Sequence, residues 1–272
     1  MNPAFLLERV CGSAQLWEVR EAINQRQGTG EMSQSEANKA RGGFGKYRGA
    51  VAEKYVVDLI KGDLRVDPNH RVRSWDGEEM EGIWPGQSIC DLIIERNRTL
   101  LAVEVVSHAM RETAASGGDF EGLAKDLQIA VIEKAEQLDA VISRINKGGI
   151  QEPRIEYEAI YPVLVNAMRF PWNALIDQAI RVKFKELGLL QQPNVRPFVI
   201  MSVEEVEALA AVVECGLATF ESVLEDRFRH GRSGEPIQWT VSRGYGISRP
   251  TIVNDAFGRA ADALIEWRTD GG

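Results

Sequence analysis

Histidine and cysteine are both scarce in this chain, three residues of each. Cys11, Cys90 and Cys215 are far apart, and none stands in a CxxC or CxxH context. That pattern excludes a disulfide framework and a structural zinc site, and it suits a reducing compartment. So few histidines also argue against a His-ligated metal enzyme. No apolar run approaches the roughly 18–20 residues of a membrane span. The apolar stretch from Pro3 to Leu7 is too short for a secretory h-region. The expectation is therefore a cytoplasmic protein with no membrane partner. Walker A, GxSxG and HExxH patterns are absent, and Gly42-Gly43-Phe44-Gly45 lacks the preceding strand that a phosphate loop needs.

Positive charge is also in deficit. The net charge of −8 disfavours nonspecific binding of nucleic acid over the whole surface. Locally the balance reverses: Lys39, Arg41, Lys46, Arg48 and Lys54 cluster among glycines and aromatics, and Arg65, Arg71 and Arg73 follow. Such a cluster reads either as a phosphate-facing surface or as a solvated patch on an acidic protein.

What is present is an ordinary globular composition over 272 residues, enough to bury one large core without staples. Residues 1–27 suit one or two short helices, and the Gly- and Ser-rich stretch 28–43 reads as a linker. A helical pattern runs from Arg48 to Ile60. Strand patterns cover His70–Ser74, Ile89–Glu95 and Leu100–Val106, the last two forming a hairpin. Asp119 is a good N-cap for a long helix to about Ile145. Strands follow at Ile155–Val165 and Val195–Met201. Helices are expected over Phe170–Leu187, after a Ser202/Glu205 capping box, and over Phe220–Phe228. A strand at Ile237–Val241 and a helix ending near Trp267 complete the pattern. The class is α/β, a mixed central β-sheet flanked by helices. The organisation expected is a helical segment and linker over 1–43, a core over 44–230 and an extension over 231–272.

Two acids stand out because they interrupt apolar strands. Asp91 falls between Ile89 and Leu92, and Glu104 falls in LLAVEVV. Burying an unpaired charge is costly, so each needs a partner. Adjacent strands bring such carboxylates together, and paired carboxylates are hard ligands for Mg²⁺ or Mn²⁺. Glu53, on the preceding helix, is a third candidate ligand. The plain alternative is that these acids sit at strand ends or pair with Lys or Arg.

The order of helix with Glu53, strand with Asp91, strand with Glu104 and then a long helix resembles the PD-(D/E)XK, restriction-endonuclease-like nucleases over about Phe44–Ile145. Arg111, Gly118, Asp119, Asp126, Leu127, Ala130, Lys134 and Gln137 are similar to the loop and D-L-x-x-A-x-x-x-A-x-Q helix of some members, in slightly altered form. The resemblance implies a restriction-endonuclease-like core and metal-dependent hydrolysis of DNA. It also implies Asp91 and Glu104 as catalytic metal ligands with Glu53 accessory, and a place in bacterial defence.

One departure matters. The family's third motif ends in lysine, and here Glu104-Val105-Val106 ends in valine, on the same strand face as Glu104. Lys134, on the apolar stripe of the long helix, is one candidate to replace that charge. His108, four residues after Glu104, is another, as a base or ligand. The competing expectation is a degenerate nuclease fold that binds DNA, a partner protein or a second copy of itself without cleaving. Arg243–Pro250, with Tyr245, reads as a nucleic-acid-touching loop or as a plain surface turn.

Overall fold

A computed structural model describes residues 13–63, 72–108, 118–150, 155–168, 173–231 and 235–246, with short stretches at 250–251, 253–255 and 258–259. Helix α1 (Ser13–Gly28) packs on α2 (Gln34–Asp63). Strand β1 (Val72–Asp76) leads into a short α3 (Gly77–Ile83), and β2 (Leu92–Arg96) and β3 (Thr99–Val106) form the expected hairpin. Asn97 turns that hairpin with a φ of 56°, a conformation Asn tolerates better than most residues. Then come α4 (Phe120–Leu127), a π turn (Gln128–Ile132) and α5 (Glu133–Gly148), which run on as one helix. The chain continues with β4 (Ala159–Asn166), α6 (Ala174–Leu187), β5 (Val199–Ser202), α7 (Val203–Glu214), α8 (Phe220–Arg229) and α9 (Ile237–Gly244).

The five strands lie in sequence order. β1, β2 and β3 are antiparallel, whereas β3, β4 and β5 are parallel, linked by helical crossovers. This is a mixed α/β architecture, as the alternation of patterns implied. Each face of the sheet has its own core. Leu101 and Val103 of β3 pack with Val56, Leu59 and Ile60 of α2 and with α7. Leu100, Ala102 and Val106 point to the opposite face and pack with α5 and the π turn. Glu104 shares that second face.

Several expectations need correction. The stretch read as a linker is helical from Gln34 onward, so α2 runs through the boundary expected at residue 43. Ser33 caps it by bonding with Glu36, Ala37 is fully buried, and Arg41 reaches Asn24 and Gln27 of α1. Tertiary packing and a cap overcome four interior glycines, each costing about 1 kcal/mol relative to alanine. Ile237–Val241 is helix and not strand, anchored where the Ile237 amide donates to Glu205 Oε1. Helix α3 was not anticipated; Asp76 and Glu79 form its capping box. The Asp119 and Ser202 caps are as expected. At Gly122 an added Cβ would stand 2.2 Å from Asp119 Oδ2, so the cap closes only over glycine. Residues 1–12, His70, Arg71, 169–172 and Trp267 lie outside the described residues, as does most of the segment expected to form a helix up to Trp267.

Candidate active site

Antiparallel pairing sets Leu92 opposite Val103, and the Asp91 amide donates to Val103 O at 3.1 Å. Asp91 lies immediately before this ladder, close enough to Glu104 to raise its carboxyl. Asp91 Oδ2 accepts from the Val105 amide at 2.6 Å, so the aspartate is fixed to the strand that carries Glu104. Glu104 is 1% exposed, inside the apolar core.

Lys134 extends from the first turn of α5 and places Nζ 2.5 Å from Glu104 Oε1. Its ammonium also donates to Gln137 Oε1 at 3.3 Å, and the Gln137 amide donates in turn to Ile89 O, two residues before Asp91. Gln137 thus ties the lysine to the segment that carries the aspartate. Val106 is 7% exposed and packs in the core, and the ammonium beside Glu104 comes from the helix facing the strand.

Glu104 Oε2 is buried without a hydrogen-bond partner. Burial pushes the Glu104 carboxyl up to about 8, with Asp91 adding to the rise and Lys134 opposing it. The Lys134 ammonium acts to lower both carboxyls. It does not prevail, because desolvation in an apolar core outweighs one partially exposed lysine. Asp91 is raised as well, by burial against the opposing Val105 hydrogen bond and Lys134. Glu53 lies on the exposed side of α2, yet the protein beneath desolvates its carboxyl and Asp91 raises it further. Glu53, Asp91, Glu104 and Lys134 therefore share one electrostatic neighbourhood.

Among the described residues, no group of three or more His, Cys, Asp and Glu side chains is gathered closely enough to hold a metal ion by themselves. The donor set is the pair Asp91 and Glu104, with Glu53 nearby. His108 follows the end of β3, and its Nε2 lies 3.1 Å from Asp126 Oδ1; its partner is a helix residue, not the strand carboxylates. Arg111 lies outside the described residues, and so do positions 247–249 of the loop after α9. Arg243 sits over Trp239 and reaches Glu235 at 3.4 Å. Two contacts went unforeseen: the Gln137 tie and the Asp126 grip on His108. The signal available was the polar residue itself at a spacing that turns it toward the sheet.

No family model matches the chain, and a search of curated proteins returns no match. No helix among the described residues is long and apolar enough to cross a membrane.

Proposed function

We propose that this chain is a metal-dependent DNA endonuclease-like protein that hydrolyses phosphodiester bonds, built on a restriction-endonuclease-like core. The observation that carries the reading is the buried Glu104, held on one oxygen by Lys134 and left without a partner on the other. Asp91 Oδ1 likewise has no partner among the described residues, since Oδ2 takes the Val105 amide. Two electrostatically coupled carboxylates, each with an oxygen left over, fit a hard divalent cation such as Mg²⁺ or Mn²⁺, which takes one or two protein carboxylates and keeps its other positions for water and phosphate.

In this reading Asp91 and Glu104 hold the cation, and Glu53 contributes through a water or through charge. A bound cation supplies a more acidic water and stabilises charge on the phosphate oxygens. Lys134 stands beside Glu104 with a donor free to turn toward a substrate oxygen, the place that a lysine at position 106 would serve. Gln137 holds that ammonium in register with Asp91. The apolar walls of the second core keep these interactions in a low-dielectric setting, where they are stronger than in water.

The test is direct. The purified chain is incubated with single- and double-stranded DNA in Mg²⁺ or Mn²⁺, and cation binding is measured by calorimetry. Cleavage that Glu104→Ala abolishes supports the reading. Cation binding and cleavage both absent would overturn it. Stable binding of DNA or a partner protein that survives Glu104→Ala, without cleavage, would favour the degenerate, binding-module alternative.

A further inference from the structure

The helix that supplies Lys134 makes a second polar grip on the same stretch of chain. Asp126 is fully buried and holds His108 through Nε2, while the imidazole keeps 27% of its side-chain surface exposed. With Nε2 turned to Asp126, Nδ1 has no partner among the described residues. The two contacts, Glu104–Lys134 and His108–Asp126, form parallel rungs between β3 with its extension and the helix. Four extended residues separate the rungs on one side, about 13 Å at strand rise. Eight helical residues separate them on the other, about 12 Å. The two spacings agree.

A plain α-helix would not hold both rungs. Positions eight apart diverge by about 80° around its axis. The π turn Gln128–Ile132 lies between Asp126 and Lys134 and absorbs one extra residue, which brings them to within about 20° of each other. Ala130 and Ala135, five positions apart, are both fully buried, as that extra residue requires. The helix thus departs from regular geometry where the departure aims a carboxylate at His108 and an ammonium at Glu104.

We propose that His108, oriented by Asp126, binds a phosphate of the substrate strand further along its backbone than the one at Asp91 and Glu104. This rests on the nuclease reading above. His108 grips the helix about four strand residues beyond Glu104 and is not held against the Asp91 and Glu104 carboxylates. It is placed instead to meet the same strand further along its backbone. With Nε2 donating to Asp126, a proton on Nδ1 would let the imidazole donate to a phosphate oxygen as well. Helix α2 passes beside this point: a Cβ on Gly49 would stand 3.3 Å from Ser107 Oγ, and exposed Lys46 lies one turn away on the same helix.

The experiment is an anisotropy titration of a fluorescent oligothymidylate in EDTA, so that no turnover occurs, over a series of salt concentrations. His108→Gln keeps a donor for Asp126 but loses the second donor and the charge. It is expected to weaken binding about tenfold, as loss of a charge-assisted contact does, and to reduce the salt slope by about 0.7. His108→Arg is expected to restore both, and melting curves report folding of each variant. Wild-type affinity and slope in His108→Gln overturn the proposal while leaving the nuclease reading standing. If His108→Gln melts early, His108→Arg decides: retained binding supports the subsite, and lost binding in a folded His108→Arg opposes it. A wild-type chain that binds no oligothymidylate overturns this subsite, while the nuclease reading stands or falls on the cleavage and cation-binding assays.

Discussion

Lys134 Nζ stands 2.5 Å from Glu104 Oε1, reaching from the helix to the strand position that a buried valine, Val106, leaves without charge. The ammonium enters from the opposite element, on a helix face it shares with Gln137 and Asp126. Lys134→Met should leave Glu104 buried without a partner, costing roughly 1–3 kcal/mol, and on the proposed nuclease function should abolish cleavage. Adding Val106→Lys to that variant should return part of the activity, because position 106 shares the face of Glu104. Urea melts and cleavage rates on the single and double variants check both statements. A double variant that folds but gains nothing would show that the charge is not what Lys134 supplies.

The Glu104 carboxyl, raised to about 8 from an ordinary 4.5, makes stability depend on pH with a defined sign. Between those values the folded protein holds a proton that the unfolded chain has released. Without a divalent cation, stability should therefore fall as pH climbs from about 4.5 to about 8, then level off for this group. Glu104→Gln should flatten that dependence. Mg²⁺ should stabilise wild-type protein most at the upper end of the window, where the carboxylates are free to ligate. Melting temperatures across pH, with and without Mg²⁺, give the answer.

The glycines of α2 offer a separate check on the fold. A Cβ at Gly42, Gly43 or Gly45 would meet nothing within 4 Å, whereas one at Gly49 would meet Ser107 Oγ at 3.3 Å. Alanine at each of the first three positions should stabilise the protein by up to about 1 kcal/mol. Gly49→Ala should gain less, because Ser107 must shift. Equal gains at all four positions would mean that α2 does not approach β3 as described.

A control lies away from the candidate site. Buried Glu95 accepts from Arg73 Nε at 2.8 Å and from the Tyr157 hydroxyl at 2.6 Å. Tyr157→Phe should cost about 1 kcal/mol or slightly more and leave cleavage unchanged. A loss of activity at unchanged stability would show that this network reaches the site.

Helix α2 and the π turn show where reading the sequence stopped short. The glycines, serines and charges of residues 28–43 have the local chemistry of a loop. Only the packing of Ala37 and Arg41 against α1, with the Ser33 cap, makes the segment helical. A regular 3.6-residue period already turned Lys134 inward. It could not bring Asp126 onto the same face, since that depends on an extra residue being absorbed between them. Ile237–Val241 has a strand-like composition, yet it lies over α7 as a helix because its first amide is bonded by Glu205.

The sequence by itself determined the alternation of strands and helices, the Asp119 and Ser202 caps, and the two acids set in apolar strands. Each follows from local pattern: period, capping chemistry, and the cost of an interrupted hydrophobic run. The tertiary structure alone decided that Asp91 comes close enough to Glu104 to perturb it, that Lys134 closes on that glutamate, and that burial outweighs the lysine's charge. Those outcomes depend on strand register, a helix crossing and desolvation. All three arise only when segments distant in the chain are packed together.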